Sequence, residues 1–309
     1  MPEYLAFELA LHLNSQFNNK AVLMSLSQAA GNRSKLFDLH VHIPDDQMYS
    51  IMGNHIVEAS AAYFRAKVVK QTLPQVEDEL RVAGVTGYAL LPVPRSGFDA
   101  NRANEISAKY IAQSEMAVGF AAVNPDRDPS ATMRKALDDQ LEGLKIHPTL
   151  QECYSSDKRL HPVYELLSDS RGVVVVHTGT SGIGGGLKGG GGMKIEYSRP
   201  IYIDEVAAKF PEVKFVMAHF GWPWTEEAIA ISLQKANVYL DLSGWSPKYI
   251  PQELWKYANS LLQDKILFGS DYPFVNPLRW KSEFDMIELK PEVKEKILYK
   301  NAARLFDLA

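Results

Sequence analysis

The chain has 309 residues, a net charge of −4 and a hydrophobic fraction of 46%, values typical of a soluble globular protein. The mild charge gives no electrostatic reason to expect a nucleic acid or a membrane as partner, and no apolar run reaches the roughly 18 residues that span a bilayer. Cys153 is the only cysteine, so an internal disulfide is excluded, as is usual in a reducing compartment. We therefore expect a cytoplasmic protein.

Residues 1–35 precede the first candidate strand, and we expect them to form an N-terminal extension. Positions 4–13 and 21–30 have the apolar content of short helices, which would cover one end of the following domain or contact a second subunit. We therefore expect a homodimer or a higher homo-oligomer.

From residue 36 onwards, short β-rich apolar runs alternate with segments of helical periodicity. The candidate strands cover residues 36–42, 85–92, 116–123, 143–148, 173–178, 213–220, 237–243 and 266–271. The helical segments between them include 130–141, 161–170, 203–210, 225–235, 251–262 and 291–306. Such alternation predicts parallel pairing, and eight units favour one (β/α)8 TIM barrel over residues 36–309. An open doubly wound sheet is the alternative, but no GxGxxG motif follows the first strand.

Histidine and aspartate residues occupy the carboxyl ends of the predicted strands, where the active sites of barrels form. They are His40, His42, His147, His177, His219 and Asp271. Alternation along the first strand gives Asp38, His40 and His42 the same parity. Imidazole and carboxylate groups are ordinary ligands of zinc and similar ions. The predicted metal ligands are His40, His42, His177 and Asp271.

Packing alone is the competing explanation for each of these residues. A single strand histidine is usually a hydrogen-bonded core residue, and Asp38 or Asp271 could cap a helix or bond a turn. The combination is harder to explain in this way, because one strand carries D-x-H-x-H and four others carry His or Asp at the same end. The set as a whole therefore favours a metal site.

Five motifs resemble those of the amidohydrolase superfamily. They are Asp38-x-His40-x-His42, Gly143-Leu-Lys145-Ile-His147-Pro148, Val176-His177-Thr-Gly179, Ala218-His219-Phe-Gly221-Trp222-Pro223 and Gly269-Ser270-Asp271-Tyr-Pro273. The similarity is greatest to the branch with aminocarboxymuconate-semialdehyde decarboxylase and the resorcylate-type decarboxylases. It runs from about residue 36 to 306 and includes the closing Asn301-Ala-Ala-Arg304-Leu-Phe306.

The resemblance implies a role for each matching position. His40 and His42 match the first-strand metal ligands, His177 the fifth-strand ligand and Asp271 the eighth-strand ligand. His219 matches the histidine that acts as an acid and base or activates a metal-bound water. Lys145 matches the carbamylated lysine of binuclear members, so a second ion stays open. The branch implies one divalent ion, with zinc expected and manganese or iron as alternatives.

Two enzyme hypotheses follow from this site. The first is non-oxidative decarboxylation of a small unsaturated or aromatic carboxylic acid, with His219 or its water delivering the proton. The alternative is hydrolysis of a lactone, ester or amide through metal-bound hydroxide. The sequence barely separates them, because both need the same ligands and base. A third hypothesis, a non-catalytic barrel, is disfavoured by the complete ligand set.

Several residues near the strand ends are candidates for substrate binding. Arg95 could clamp a carboxylate, although a solvated surface arginine is the alternative. His147 and Trp222 could line the pocket, together with Trp224 and Trp245, although the tryptophans could equally be packing residues. The glycine-rich residues 181–192, which include Lys188, could form a mobile lid, an anion-holding loop or a merely flexible loop.

Overall fold

Eight strands form a single sheet in chain order in the computed structural model, which describes residues 35–46, 49 and 53–308. The strands are β1 Leu36–Val41, β2 Val85–Leu90, β3 Ala117–Ala121, β4 Gly143–Ile146, β5 Val173–His177, β6 Lys214–Ala218, β7 Val238–Asp241 and β8 Ile266–Leu267. Each pairs in parallel with the next. The predicted N-terminal extension, apart from Lys35, lies outside the described residues.

Hydrogen bonds between the first strand and the segment after the last one close this sheet into a barrel. Leu39 N donates to Phe268 O at 3.0 Å, and Asp271 N donates to His40 O at 3.0 Å. A further parallel bridge joins Val41 to Tyr272. The predicted (β/α)8 TIM barrel is therefore confirmed.

Helices separate the strands and surround the barrel. Within the described residues they are α1 Asn54–Phe64, α2 Leu73–Val82, α3 Ala100–Ile111, α4 Pro129–Asp138, α5 Pro148–Gln151, α6 His161–Ser170, α7 Ile201–Lys209, α8 Thr225–Gln234, α9 Gln252–Ala258, α10 Pro277–Asp285, α11 Pro291–Glu295 and α12 Asn301–Leu305. Local sequence begins several of them: α10, for example, starts at Pro277, directly after Asn276, whose side chain accepts a hydrogen bond from Arg279 N.

A π-helical turn, Lys296–Lys300, joins α11 to α12. Asn301 N donates to Lys296 O in this turn, one residue further back than in an α-helix. The shift frees the carbonyl of Ile297, which accepts a hydrogen bond from Phe268 N at 2.9 Å. The predicted helical segment 291–306 is thus one continuous run, and its π turn holds the chain just after β8.

Side chains of the strands alternate between the barrel interior and the layer under the helices. In β5, Val173 and Val175 belong to one buried cluster with side chains from β1, β2, β3, β6 and β8, which can meet only inside the barrel. Val174 and Val176 belong to the larger cluster that includes the helices. In β1, an irregularity between Asp38 and Val41 interrupts the regular alternation.

No helix among the described residues combines the length and the apolar character that crossing a membrane requires.

Candidate active site

A cavity of about 320 Å³ opens at the carboxyl ends of the strands, within the size range of small-molecule sites. The strand-end residues singled out from the sequence contribute to its lining: His40, His42, His147, His177, His219 and Asp271. Lys145 joins them, and aromatic side chains including Trp245, Tyr249 and Phe274 line the remainder. The cavity therefore has a polar, buried end and an aromatic, more open end.

Three of the predicted ligands form a compact group. The potential ligand atoms of His40, His42 and Asp271 all lie within 4.8 Å of one another. His42 Nε2 is 3.3 Å and His40 Nε2 is 3.7 Å from Oδ1 of Asp271. All three residues are buried, with exposures of 7% or less. Two strands at the closing seam of the barrel, β1 and β8, thus bring these groups together.

The hydrogen bond behind His42 determines which of its nitrogens carries the proton. Its Nδ1 lies 2.7 Å from the carbonyl oxygen of Leu91, which can only accept, so Nδ1 must donate. The neutral ring then presents a lone pair at Nε2 towards the carboxylate oxygen of Asp271. Two acceptors that face each other need a positive charge between them, from a second ring proton or from a bound cation. This pair therefore fits a metal ion.

His40 is oriented in the same way from behind. Its Nδ1 lies 2.8 Å from Oδ2 of Asp241 and 2.9 Å from Oγ of Ser243. Its Nε2 faces the cavity, 3.1 Å from Nζ of Lys145. A carboxylate behind a histidine is the usual arrangement at metal ligands, because it fixes the ring and makes Nε2 more basic.

The charges around this group are unbalanced. Three carboxyl groups, of Asp38, Asp241 and Asp271, are buried with a single ammonium, that of Lys145, at this end of the described barrel. Burial raises the pKa of Asp38 and that of Asp241 to about 7, and it lowers the pKa of Lys145 to about 8. These shifts mean that burial opposes full ionisation of the group; if all four groups were charged, their net charge would be −2, which one divalent ion would balance. The residues therefore fit such an ion.

His177 lines the same cavity but lies outside the compact group of three. Its ring stacks on that of His147, with centroids 3.9 Å apart and planes 10° from parallel. Nε2 of His177 is buried and has no hydrogen-bond partner among the described residues. Burial, with His147 and His219 nearby, lowers the pKa of His177 well below its usual value. A buried, neutral and unpartnered nitrogen is what a fourth ligand would offer, and the assignment of His177 stays a prediction.

His219 lies in a short turn directly after β6. The turn places both His219 and Phe220 in the left-handed region, with φ of 63° and 44°, which is costly for residues other than glycine. His219 Nδ1 donates to Ser243 O at 3.0 Å, so Nε2 is left for the cavity. Burial lowers the pKa of this imidazole to about 4. At neutral pH this imidazole is therefore neutral, with Nε2 unprotonated.

Gly244 gives His219 and Asp271 the space they occupy. Its φ is +74°, and a β-carbon there would lie 2.8 Å from His219 Nδ1 and 3.1 Å from Asp271 Oδ2. Asp271 itself has a φ of 70°. The backbone at the ends of β7 and β8 is thus shaped around these two side chains.

The residues predicted to bind substrate are spread more widely. His147 lines the cavity. Arg95 is exposed and is not among the lining residues, so its role as a carboxylate clamp stays a prediction. Trp222 is 39% exposed and packs against Trp245, which lines the cavity. Trp224 lies under the guanidinium of Arg199.

The glycine-rich segment contributes its first residues to the cavity. Ser181, Gly182 and Ile183 line it together with Thr180, which directly precedes the segment, whereas Lys188 is exposed. A β-carbon on Gly182 would lie 2.7 Å from Phe64 in α1. The beginning of this segment therefore packs closely on α1.

Sequence reasoning missed several polar residues of the site, four of which bear on its geometry or its charge. Asp241 and Ser243 follow from the end of β7, and an aspartate at the end of a predicted strand was a signal that could have found the first of them. The other two, Arg279 and Glu283, are four residues apart on α10 and both line the cavity. A spacing of four residues on a helix indicates an ion pair, but it does not show that the pair faces the cavity.

Fold and site together define a (β/α)8 barrel with a histidine and aspartate group at the carboxyl ends of its strands. The family model described as amidohydrolase matches residues 37–308, so the chain belongs to the amidohydrolase family. It is an enzyme of the amidohydrolase superfamily, and the resemblance inferred from the motifs is confirmed. A search of curated protein sequences finds no significant match.

Solved structures of similar fold include decarboxylases. An uncharacterized TIM-barrel protein from Bordetella bronchiseptica is 23% identical with a TM-score of 0.73, covering 89% of this chain and 99% of its own. A 5-carboxyvanillate decarboxylase from Sphingomonas paucimobilis is 17% identical, with a TM-score of 0.65 and coverages of 90% and 100%. A dihydroxybenzoic acid decarboxylase from Polaromonas, with bound manganese and 2-nitroresorcinol, is 16% identical, with a TM-score of 0.68 and coverages of 89% and 98%. At these identities the likeness establishes the fold alone.

Proposed function

We propose that the protein is a metal-dependent carboxy-lyase that removes CO₂ without oxidation from a small unsaturated or aromatic carboxylic acid. The observation that carries the proposal is the state of His219, a neutral base whose Nε2 faces a cavity shared with the ligand group. The aromatic side chains of that cavity suit a planar substrate. The decarboxylases among the similar structures support the same reaction class.

His40, His42, His177 and Asp271 would hold the ion. Zinc suits three imidazoles and one carboxylate with a position left open for substrate, and manganese or iron would suit them as well. When bound, a divalent ion supplies a Lewis acid that draws electron density from a carboxylate or hydroxyl oxygen. Asp241 would hold the His40 ring, and the Leu91 carbonyl would hold that of His42.

His219 would move the proton. Because the neutral ring keeps its proton at Nδ1, Nε2 first accepts one, which a hydroxyl group beside the substrate carboxylate would supply. The bond to the carboxyl carbon then breaks and its electron pair stays on the substrate carbon. That carbon takes the proton from Nε2, CO₂ leaves, and solvent returns a proton to the product oxygen.

Release of CO₂ from the zinc-loaded protein tests this proposal. The substrates to try are 2,6-dihydroxybenzoate and 5-carboxyvanillate, with detection of CO₂ in the headspace. His219→Asn should keep the metal and lose turnover by about 10²-fold or more, the usual scale for removing an acid and base. His161→Asn is the matched control, because His161 is also buried but lies on α6, outside the cavity. Equal rates for the His219 variant and the wild type would overturn the assignment.

Hydrolysis of a lactone, ester or amide is the second candidate, and one observation favours it. The similar solved structures also include a probable 2-pyrone-4,6-dicarboxylic acid hydrolase from Acinetobacter baumannii, which is 16% identical with a TM-score of 0.63, and this supports a hydrolytic reaction. The same experiment separates the two reactions, since hydrolysis consumes a lactone such as dihydrocoumarin without releasing CO₂.

A further inference from the structure

One charged pair of the cavity has no role in the chemistry described so far. The charged lining residues are Lys145, Asp271, Arg279 and Glu283, and the first two belong to the buried end. The Arg279 side chain is 65% exposed and that of Glu283 is 24% exposed. This pair therefore marks the open end of the cavity, away from the ligand group.

Arg279 is held in place by its neighbours. Its Nε lies 2.9 Å from Oε1 of Glu283, and the other carboxylate oxygen of Glu283 accepts a hydrogen bond from Ser246 in the loop after β7. The helix that carries the pair is fixed to the same loop, because the indole of Trp280 donates to Trp245 O at 3.0 Å. A surface arginine without such supports would sample many rotamers.

This arrangement leaves one edge of the guanidinium free for a ligand. No described residue accepts a hydrogen bond from either Nη group of Arg279. With Nε engaged by Glu283, the two Nη groups present a pair of parallel donors, which is the geometry that binds a carboxylate bidentately. The charge of Glu283 is offset by that of Arg279, so the pair is neutral overall, and a ligand carboxylate would be held by the hydrogen bonds of the two Nη groups.

We propose that Arg279 is a specificity-determining residue that binds a second carboxylate of the substrate, so that the enzyme acts on dicarboxylic acids. The first acid group would lie at the buried end, near Asp271 and Lys145, and the second at the open end. This inference rests on the proposed function, because it takes the buried end as the place of reaction. It adds that the part of the substrate at the open end of the cavity carries a negative charge and is not apolar.

Binding of matched diacids and monoacids to the zinc-loaded full chain tests the inference. The probes are isophthalate and terephthalate, each with its monomethyl ester, and dissociation constants come from isothermal titration calorimetry. At least one diacid should bind about tenfold or more tightly than its ester, the scale of one charge-assisted bidentate contact. Arg279→Met should bring the two constants within about twofold and leave that of the ester unchanged.

Arg102→Met is the matched control. Arg102 is the third residue of α3, and its N–H binds the capping side chain of Asp99 at 3.1 Å, as that of Arg279 binds Asn276 at 3.1 Å. It is not among the lining residues of the cavity, so this variant should keep the preference for the diacid. Thermal unfolding of both variants checks that each is folded.

The possible failures are distinguishable. If esters and diacids bind the wild type equally, or if Arg279→Met keeps the preference, the inference is wrong while the proposed function stands. If the binding of a hydroxylated monoacid depends on Arg279 as strongly as the binding of the diacids does, Arg279 does not select for a second carboxylate, and the inference is overturned. If none of the four acids binds the zinc-loaded protein, the inference fails, whereas the proposed function fails only if no CO₂ is released from its own test substrates.

Discussion

His40 Nδ1 lies 2.8 Å from Oδ2 of Asp241, and this contact fixes which nitrogen of His40 faces the cavity. The hydroxyl of Ser243 donates to the same carboxylate oxygen at 2.7 Å, and its backbone N–H donates to the other at 2.8 Å. Ser243 thus orients the carboxylate of Asp241, which in turn orients the ring of His40. Carboxylates in this position set the metal affinity of the histidine in front of them.

Replacement of this carboxylate should weaken metal binding without removing a ligand. Asp241→Asn keeps the shape of the side chain but loses its charge, and we expect zinc to bind about 10- to 100-fold less tightly. Competition with a chromogenic chelator measures the affinity. Asp157→Asn is the control, because Asp157 also accepts hydrogen bonds but lies outside the cavity. Unchanged affinity in the Asp241 variant would contradict the role of this contact.

The assignment of His177 as the fourth ligand can be tested directly. His177→Ala removes the unpartnered Nε2 and should cost the purified protein most of its bound metal. Elemental analysis after dialysis measures the retained ion, with His161→Ala as a comparison from outside the cavity. Full retention of the metal in the His177 variant would limit the ligand set to His40, His42 and Asp271.

A methyl group at position 244 should disturb the site more than the fold. Gly244→Ala would press on His219 and Asp271, whereas Gly97 has a similar φ of +70° and a β-carbon there would meet no heavy atom within 4 Å. Both alanine variants carry the left-handed strain, of about 1–2 kcal/mol. We therefore expect Gly244→Ala to lose at least as much stability as Gly97→Ala in thermal unfolding, and to be the only one of the two that loses metal. Equal metal content in the two variants would refute the steric argument.

The low pKa of His219 makes a prediction about acid stability. Its folded pKa is about 4 against 6.5 for the free side chain, so between these values the unfolded chain binds more protons and stability falls as the pH falls. Relative to His219→Asn, the metal-free wild type should lose on the order of 2 kcal/mol between pH 7 and pH 5. Urea unfolding in a chelator at both pH values measures this difference. A difference that does not change with pH would show that His219 is not buried in its neutral form.

The fold could be predicted from the sequence because the signals for its strands and helices are local. All eight predicted strands occur where apolar runs indicated them, and α6 has the predicted bounds, His161–Ser170. The residues at which the strands end were harder to predict. The run 266–271 forms a strand only over Ile266–Leu267, because the next residues bond to the π turn and to β1 and Asp271 adopts a left-handed conformation.

The candidate active site, too, could be predicted only in part. The cavity-lining histidines could be predicted, since a barrel brings the carboxyl ends of its strands to one face. The tautomers of His40 and His42 could not, because they depend on Asp241 and on a backbone carbonyl from other strands. Arg279 was also beyond reach, since only the docking of α10 against the β7 loop turns its side chain towards the cavity.

If His40, His42 and Asp271 hold the proposed ion, the closing seam of the barrel ties metal capture to the completion of folding. Ser270 N donates to Asp38 Oδ1 across 232 positions of the chain, and His40, His42 and Asp271 are assembled only when this seam forms. During synthesis the two histidines would leave the ribosome long before their carboxylate partner. An unfinished chain would therefore compete poorly for scarce ions, and occupancy of the site would report that the last strand has docked.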